Sequence, residues 1–164
     1  MYDFIEAFRA DLERYAPDRL VRIAKPGGWS LGQLHDHLIE VALEYLGHVA
    51  VCAQATEEQP SGKTEAGEGV FRRGGFPPIR IKLPDTPEFT PSNALSKDEL
   101  LAGLDRVDRD MRAWEPRLAA VHPNMKVRHD GFGWLNAREW FDLIGMHFRH
   151  HLRQKAELEA LTEA

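Results

Sequence analysis

Cys52 is the only cysteine among the 164 residues. That excludes an intrachain disulfide and a cysteine-built zinc site, and it fits a reducing compartment, so a cytoplasmic location is expected. An excess of one charge sign is missing as well. The 21 Lys and Arg are interspersed with 26 Asp and Glu, for a net charge of −5, which leaves no general attraction to nucleic acid or to an anionic membrane surface. No apolar run approaches the roughly 20 residues of a membrane span. Met1-Tyr2-Asp3-Phe4-Ile5-Glu6 carries acids where a signal peptide carries bases, so no targeting or anchoring segment is expected. Internal repeats and low-complexity tracts are also lacking. A chain of this length fits one domain over 1–164, with a core large enough to fold without staples.

What is present is a set of explicit helix starts. Ser30 is followed three residues later by Gln33, Ser96 by Glu99 and Asn136 by Glu139, each the pattern of a capping box. Each has an apolar residue just before the cap and another in the first turn, Trp29 with Leu34, Leu95 with Leu100 and Leu135 with Trp140, which is the pattern of a hydrophobic staple. An earlier helix is marked by Phe4, Ile5, Phe8, Leu12 and Tyr15, recurring at helical spacing ahead of Pro17 and the Pro26-Gly27-Gly28 break. The four helices are expected at about 2–16, 31–54, 97–120 and 137–161, with Pro116 kinking or restarting the third.

Between the second and third lie some 40 residues, roughly 55–95, holding Pro60, Pro77, Pro78, Pro84, Pro87 and Pro91 with five glycines. A connection that long without clear structure of its own is uncommon and usually functional or mobile. Inside it, Ile79-Arg80-Ile81-Lys82-Leu83 alternates like a short strand. Three short links and one crossover describe an all-α fold, a four-helix bundle, and bundles build their sites from inward side chains on facing helices.

Histidine supplies those side chains. Met146-His147-Phe148-Arg149-His150-His151-Leu152-Arg153-Gln154 sets His147 and His151 one helical turn apart. They fall on the apolar stripe Trp140, Leu143, Ile144, His147, His151, Gln154 and Leu158, and so face the core. On the second helix the stripe Leu34, His37, Leu38, Val41, Tyr45, His48 and Cys52 turns His37 inward and leaves His35 about 200 degrees round the helix. His37 is therefore the third ligand of choice. It lies about two turns inside its helix and His147 about three turns inside the fourth, levels that agree if both helices start at the same end. His48 is about 16 Å further along the axis than His37, too far to share one ion.

Blander readings compete with these. A single histidine on an apolar face is usually a satisfied core residue, and His48 reads that way. His150 sits at the edge of the stripe, solvated or facing a substrate. His122 and His129 precede the fourth helix and read as surface loop residues. The run Glu65-Ala66-Gly67-Glu68-Gly69 reads as solvated crossover, and Gly131-Phe132-Gly133 as a turn into the next helix, since it lacks the lysine and preceding strand of a phosphate loop.

The segment Gly28-Trp29-Ser30-Leu31-Gly32-Gln33-Leu34-His35-Asp36-His37-Leu38 resembles the Trp-Ser opening and His-Leu signature of the DinB-like superfamily, which includes the YfiT-like proteins assigned as metal-dependent hydrolases. Phe132-Gly133-Trp134-Leu135-Asn136-Ala137-Arg138-Glu139-Trp140, followed by His147 to Gln154, looks like the superfamily's last-helix pattern. The resemblance covers the whole chain, with His150 as a basic addition beside the motif. It implies a four-helix bundle holding one divalent metal, zinc or nickel, on His37, His147 and His151, and it supplies the helix direction that brings them together. It also implies a homodimer and, in some members, thiol-dependent transferase or isomerase chemistry.

Three neutral imidazoles leave an ion its full positive field, enough to lower the pKa of a bound water or to hold a thiolate. The first expectation is therefore a metal-dependent hydrolase of a small molecule, with Glu44, or Glu40 one turn nearer His37, as base or supporting partner. The second is transfer of a low-molecular-weight thiol, with Arg72, Arg73 and Arg80 of the crossover meeting carboxylates. The third is a non-catalytic metal-binding or interaction module.

Overall fold

Each of the three capping boxes closes as the sequence specifies. Ser30 Oγ accepts from Gln33 N at 3.1 Å while Gln33 Oε1 accepts from Ser30 N at 2.9 Å. The same reciprocal pair forms at Ser96 and Glu99 and at Asn136 and Glu139. Each box satisfies two backbone donors that a helix start leaves orphaned, worth about 1 kcal/mol by the usual cost of losing a cap. In the computed structural model, which describes residues 1–77 and 90–163, the chain is mostly helical. Its elements are α1 (Asp3–Arg14), α2 (Pro17–Val21), α3 (Leu31–Gln54), α4 (Glu65–Arg73), α5 (Lys97–Trp114), β1 (Lys126–His129), β2 (Gly133–Asn136), α6 (Ala137–His150) and α7 (Leu152–Thr162). A 3-10 turn over Glu115–Ala120 takes over from α5 where Pro116 enters. No helix among the described residues is long and apolar enough to cross a membrane.

The core is one apolar cluster drawn from every long helix, with Phe8, Leu12, Leu34, Leu38, Leu100, Leu104, Ile144 and Phe148 fully buried. α3 packs against both α5 and α6, and α1 packs against the same two. The helix directions follow from paired contacts. Going up α3, His37 meets His151, Tyr45 meets Trp140 and Cys52 meets the Leu135 carbonyl, so α3 and α6 are antiparallel. The sequence reading had them start at the same end; the levels agree instead because His37 lies near the start of α3 and His147 near the end of α6.

Along α1, Tyr2 meets Phe141 and Phe8 meets Phe148, a parallel run, while Tyr2 bonds Asp108 and Arg9 bonds Asp105, an antiparallel one. α3 and α5 therefore run the same way. Two parallel helices cannot be joined by a tight turn, which is the physical reason for the long crossover.

The crossover is more structured than its composition implies. Thr64 caps α4 through Gly67 N at 3.1 Å, so the run Glu65 to Gly69 is a helix start and not merely solvated chain. Acids in a first turn complement the helix dipole, which explains a cluster that reads as loop by charge alone. Ile79 to Leu83, expected as a short strand, lies outside the described residues. Downstream, Gly131-Phe132-Gly133 turns a two-stranded antiparallel hairpin, β1 with β2, whose second strand leads directly into α6.

α4 docks on this hairpin. Thr64 N donates to Phe132 O at 2.9 Å, Trp134 N to Gly62 O at 3.1 Å, and Lys63 pairs with Glu139. A Cβ on Gly67 would overlap the Phe132 carbonyl oxygen, so alanine there should invert the usual helix preference. Where Gly→Ala in a helix ordinarily gains about 1 kcal/mol, Gly67→Ala is expected to lose about 1–3 kcal/mol by overpacking. Urea unfolding measures it, and a stabilised variant would show that α4 does not sit on the hairpin.

The expected helix over 137–161 is interrupted at His151, whose backbone leaves the helical region at φ −91°, ψ 1°. Hydrogen bonding bridges the break, since His151 N reaches the His147 and Phe148 carbonyls and Lys155 N reaches His151 O at 2.9 Å. Burial periodicity persists through a one-residue change in ψ, so the stripe cannot reveal it. Beyond the break α7 is fastened to α1 by Tyr15 Oη donating to Glu159 at 2.5 Å and by Lys155 pairing with Asp11.

Candidate metal centre

α3, α6 and the first residue after α6 bring three imidazoles into one cluster. His147 stands in the middle, its Nε2 3.2 Å from His37 Nε2 and 3.1 Å from His151 Nε2. The three ring nitrogens lie within 4.8 Å of one another, close enough to share one ion. Their spacing permits a test of fit. Two nitrogens each 2.0–2.1 Å from one ion stand about 2.9 Å apart at a right angle and about 3.4 Å apart at the tetrahedral angle. The observed separations fall between these limits.

The chemistry of the donor set agrees. Gln154 Oε1 lies 2.7 Å from His151 Nδ1. A carbonyl oxygen only accepts, so the ring proton of His151 sits on Nδ1 and its Nε2 presents a bare lone pair to the cluster. Burial pushes all three imidazoles below their ordinary pKa, His37 to about 4 and His147 well down, and the neighbouring rings add repulsion. The three rings are therefore neutral at pH 7. Without an ion, a proton on His147 Nε2 can bridge it to its neighbours; with that proton on Nδ1 instead, the rings can turn three lone pairs toward one cation, the arrangement a metal site requires.

Among the described residues no carboxylate contacts the three rings; their surroundings are aromatic. Trp29 lies 5.0 Å from His37, Tyr45 and Phe76 each 6.2 Å from His147, and Phe76 5.4 Å from His150, between ring centroids. Tyr45 is a partly buried phenol whose pKa desolvation raises, so it remains a donor. His150 is half-buried at the edge, 5.3 Å from His151, and does not belong to the cluster.

The remaining candidates fall elsewhere. Glu44 is exposed, with its carboxylate 3.7 Å from His48 Nε2, and Glu40 is also exposed. His48 stacks on Trp140 at 4.3 Å. His35, on the far face of α3 as its angle requires, is fully buried against Phe8 and Tyr15, with Nδ1 2.8 Å from Leu31 O and Nε2 without a hydrogen-bond partner among the described residues. His122 is exposed beside Glu58, as expected of a loop residue. His129 is not: it is half-buried, 4.3 Å from Phe132 and 5.4 Å from Trp140, because the hairpin folds it back onto α6. Arg72 and Arg73 are exposed on α4, and Arg80 lies outside the described residues.

In the sequence Gln154 stands on the apolar stripe and closes the last-helix pattern, with no role of its own assigned. A polar residue on an apolar stripe, three positions beyond a histidine, was the available signal for its role. Gln154→Ala is expected to weaken metal binding about 10–100-fold, the usual cost of losing the partner that orients a ligating imidazole. Zinc titration with a competing chelator reads this directly, and an unchanged affinity would leave Gln154 a bystander.

The DinB superfamily model matches residues 3–154, so the chain belongs to the DinB superfamily. No curated protein and no solved structure matches it significantly.

Proposed function

We propose that this member of the DinB superfamily is a metal-dependent hydrolase of a small molecule, working at His37, His147 and His151. The observation that supports it most is the convergence of three neutral Nε2 atoms, with Gln154 fixing the tautomer of one of them. A divalent ion held there, zinc or nickel, would supply a Lewis acid able to lower the pKa of a bound water or to hold an anionic nucleophile. The chain's own residues do the rest. The buried rings keep the donors deprotonated, Trp29 and Phe76 present apolar surface beside them, and Tyr45 keeps a phenolic proton nearby.

Within this reading Glu44 is the base. It is exposed two turns beyond His37 and touches none of the three rings, so it would act through an intervening water; among the described residues its carboxylate lies 3.7 Å from His48 and pairs with no Lys or Arg. Glu44→Gln is expected to slow hydrolysis about 10²–10⁴-fold, the usual contribution of a positioned proton acceptor, with metal content unchanged. An unaltered rate would remove Glu44 from the mechanism.

The second reading is transfer of a low-molecular-weight thiol, favoured by the absence of any anionic ligand among the described residues, which leaves an ion's charge for a thiolate. One experiment divides the two. Metal-loaded protein is given small esters and amides, then an alkylating electrophile with a small thiol. Product formed with water alone supports hydrolysis, thiol consumed together with electrophile supports transfer, and inertness to both leaves a metal-binding module. We also propose a homodimer in the cytoplasm, the first part of which light scattering on the eluting protein tests.

A further inference from the structure

His129 holds the tip of the hairpin through one nitrogen. Its Nδ1 accepts from both Gly131 N and Phe132 N, each at 3.0 Å. An imidazole nitrogen can accept only when it carries no proton, so this turn exists in this form only while His129 is neutral with its proton on Nε2. The turn places Phe132, whose ring stacks on His129 at 4.3 Å with 7° between the planes. Phe132 in turn lies 5.6 Å from Phe76, and Phe76 stands against His147 and His150. The Phe132 carbonyl also receives Thr64 N, the residue that caps α4. One ring nitrogen therefore anchors both the aromatic wall beside the triad and the docking of α4.

We infer that His129 is a pH-sensitive latch: protonating Nδ1 sets a donor against two backbone donors, opens the hairpin tip, and frees Phe132 and Phe76 from beside the three histidines. The charged groups around it pull in both directions and none is locked against it. From the hairpin, Asp130 favours the charged ring, but it is fully exposed and 3.7 Å from Arg128. From α3, His48 disfavours it, with Glu44 beyond at 3.7 Å from His48. α6 offers the neutral face of Trp140, and its Glu139 is turned to Lys63. Burial depresses the His129 pKa, so the latch is closed at neutral pH and gives way on acidification. Its effect on reactivity rests on the proposed role of the triad; the opening of the hairpin does not.

Asparagine separates the latch from the other histidines, because its side-chain oxygen can accept the same two amides in an Asx turn and does not titrate. Amide exchange of Gly131 and Phe132 is measured from pH 7.5 to 5 in the metal-free full chain and expressed as protection against the unfolded rate. In the native chain, protection is expected to fall by up to about tenfold per pH unit as the pH drops below the open-state pKa of His129, about 6.5, toward its depressed closed-state value. In His129→Asn it is expected to fall no further than the global stability does, read in the same experiment from core amides of α3. Equal pH profiles in the two proteins would overturn the latch. Because the variant can fail to fold, the ring nitrogens of native His129 are also read by ¹⁵N NMR. A proton on Nδ1 at pH 7.5 would by itself overturn the proposal, whereas loss of metal binding would test only the triad.

Discussion

Alanine at His147 is expected to empty the metal site, taking bound ion from about one per chain to near zero in protein purified without a histidine tag. His147 is the residue to remove because it alone lies within about 3 Å of both other donors, 3.2 Å from His37 and 3.1 Å from His151. Without it two imidazoles remain, 5.0 Å apart between ring centroids, one donor short of the set. The loss should exceed the 10–100-fold that removing an orienting partner such as Gln154 costs, because a donor itself is gone. His147→Ala should at the same time leave the metal-free protein folded and ease its acid sensitivity, since it deletes a half-buried, neutral, mutually repelled ring. A cavity opens in exchange, so the neutral-pH stability is expected to drop by about 2–4 kcal/mol, in the range of large-to-small core substitutions. Full occupancy in the variant would sink the assignment of the triad, and His37→Ala should give the same loss of metal for the same reason.

Much of this site was legible before any coordinates. His37, His147 and His151 share a face because helical period places them there, and apolar neighbours decide which face is buried. The capping boxes at Ser30, Ser96 and Asn136 fixed three helix starts for a local reason, two hydrogen bonds within four residues. What the sequence hid is non-local or angular. The antiparallel course of α3 and α6 depends on where the crossover delivers the chain, and no periodicity within either helix records it. α4 was concealed because its apolar face is short, with buried Gly67, Gly69 and Val70 among charged and small residues. Its stability comes from docking on the hairpin, a tertiary effect. His129 read as a loop residue because exposure is the default for loops, yet its ring folds back onto Phe132 and Trp140. The His151 break lies on one residue's ψ, beneath the resolution of any pattern of burial.

The metal-free protein is expected to lose stability steeply below pH 6.5, and a bound divalent ion should restore it until protons outcompete the metal. His37, His147 and His151 all have folded pKa values below the ordinary histidine value, chiefly through burial. The unfolded chain therefore binds more protons than the folded one across this range. Each ring's contribution is complete above its unfolded pKa of about 6.5 and is lost as the pH falls from there toward the folded value. For His37 that value is about 4, a separation worth on the order of 3 kcal/mol at 1.4 kcal/mol per unit. His35 and His129, also depressed by burial, add loss of the same sign, so His147's own share is the difference between the native protein and His147→Ala.

The same depression prepares the site for metal. Rings that are already deprotonated have no proton to shed, so zinc affinity should stay flat to a lower pH than in a peptide with the same ligands, whose rings begin to protonate near 6.5. Below that plateau it should fall by between one and three decades per pH unit, one for each imidazole that must release a proton. Thermal unfolding of the metal-free and zinc-loaded proteins between pH 7.5 and 4.5 measures both effects. A metal-free curve level over this interval would mean that the three rings are not held neutral by burial. A zinc affinity already falling at pH 6.5 would mean that the fold does not spare the metal its competition with protons.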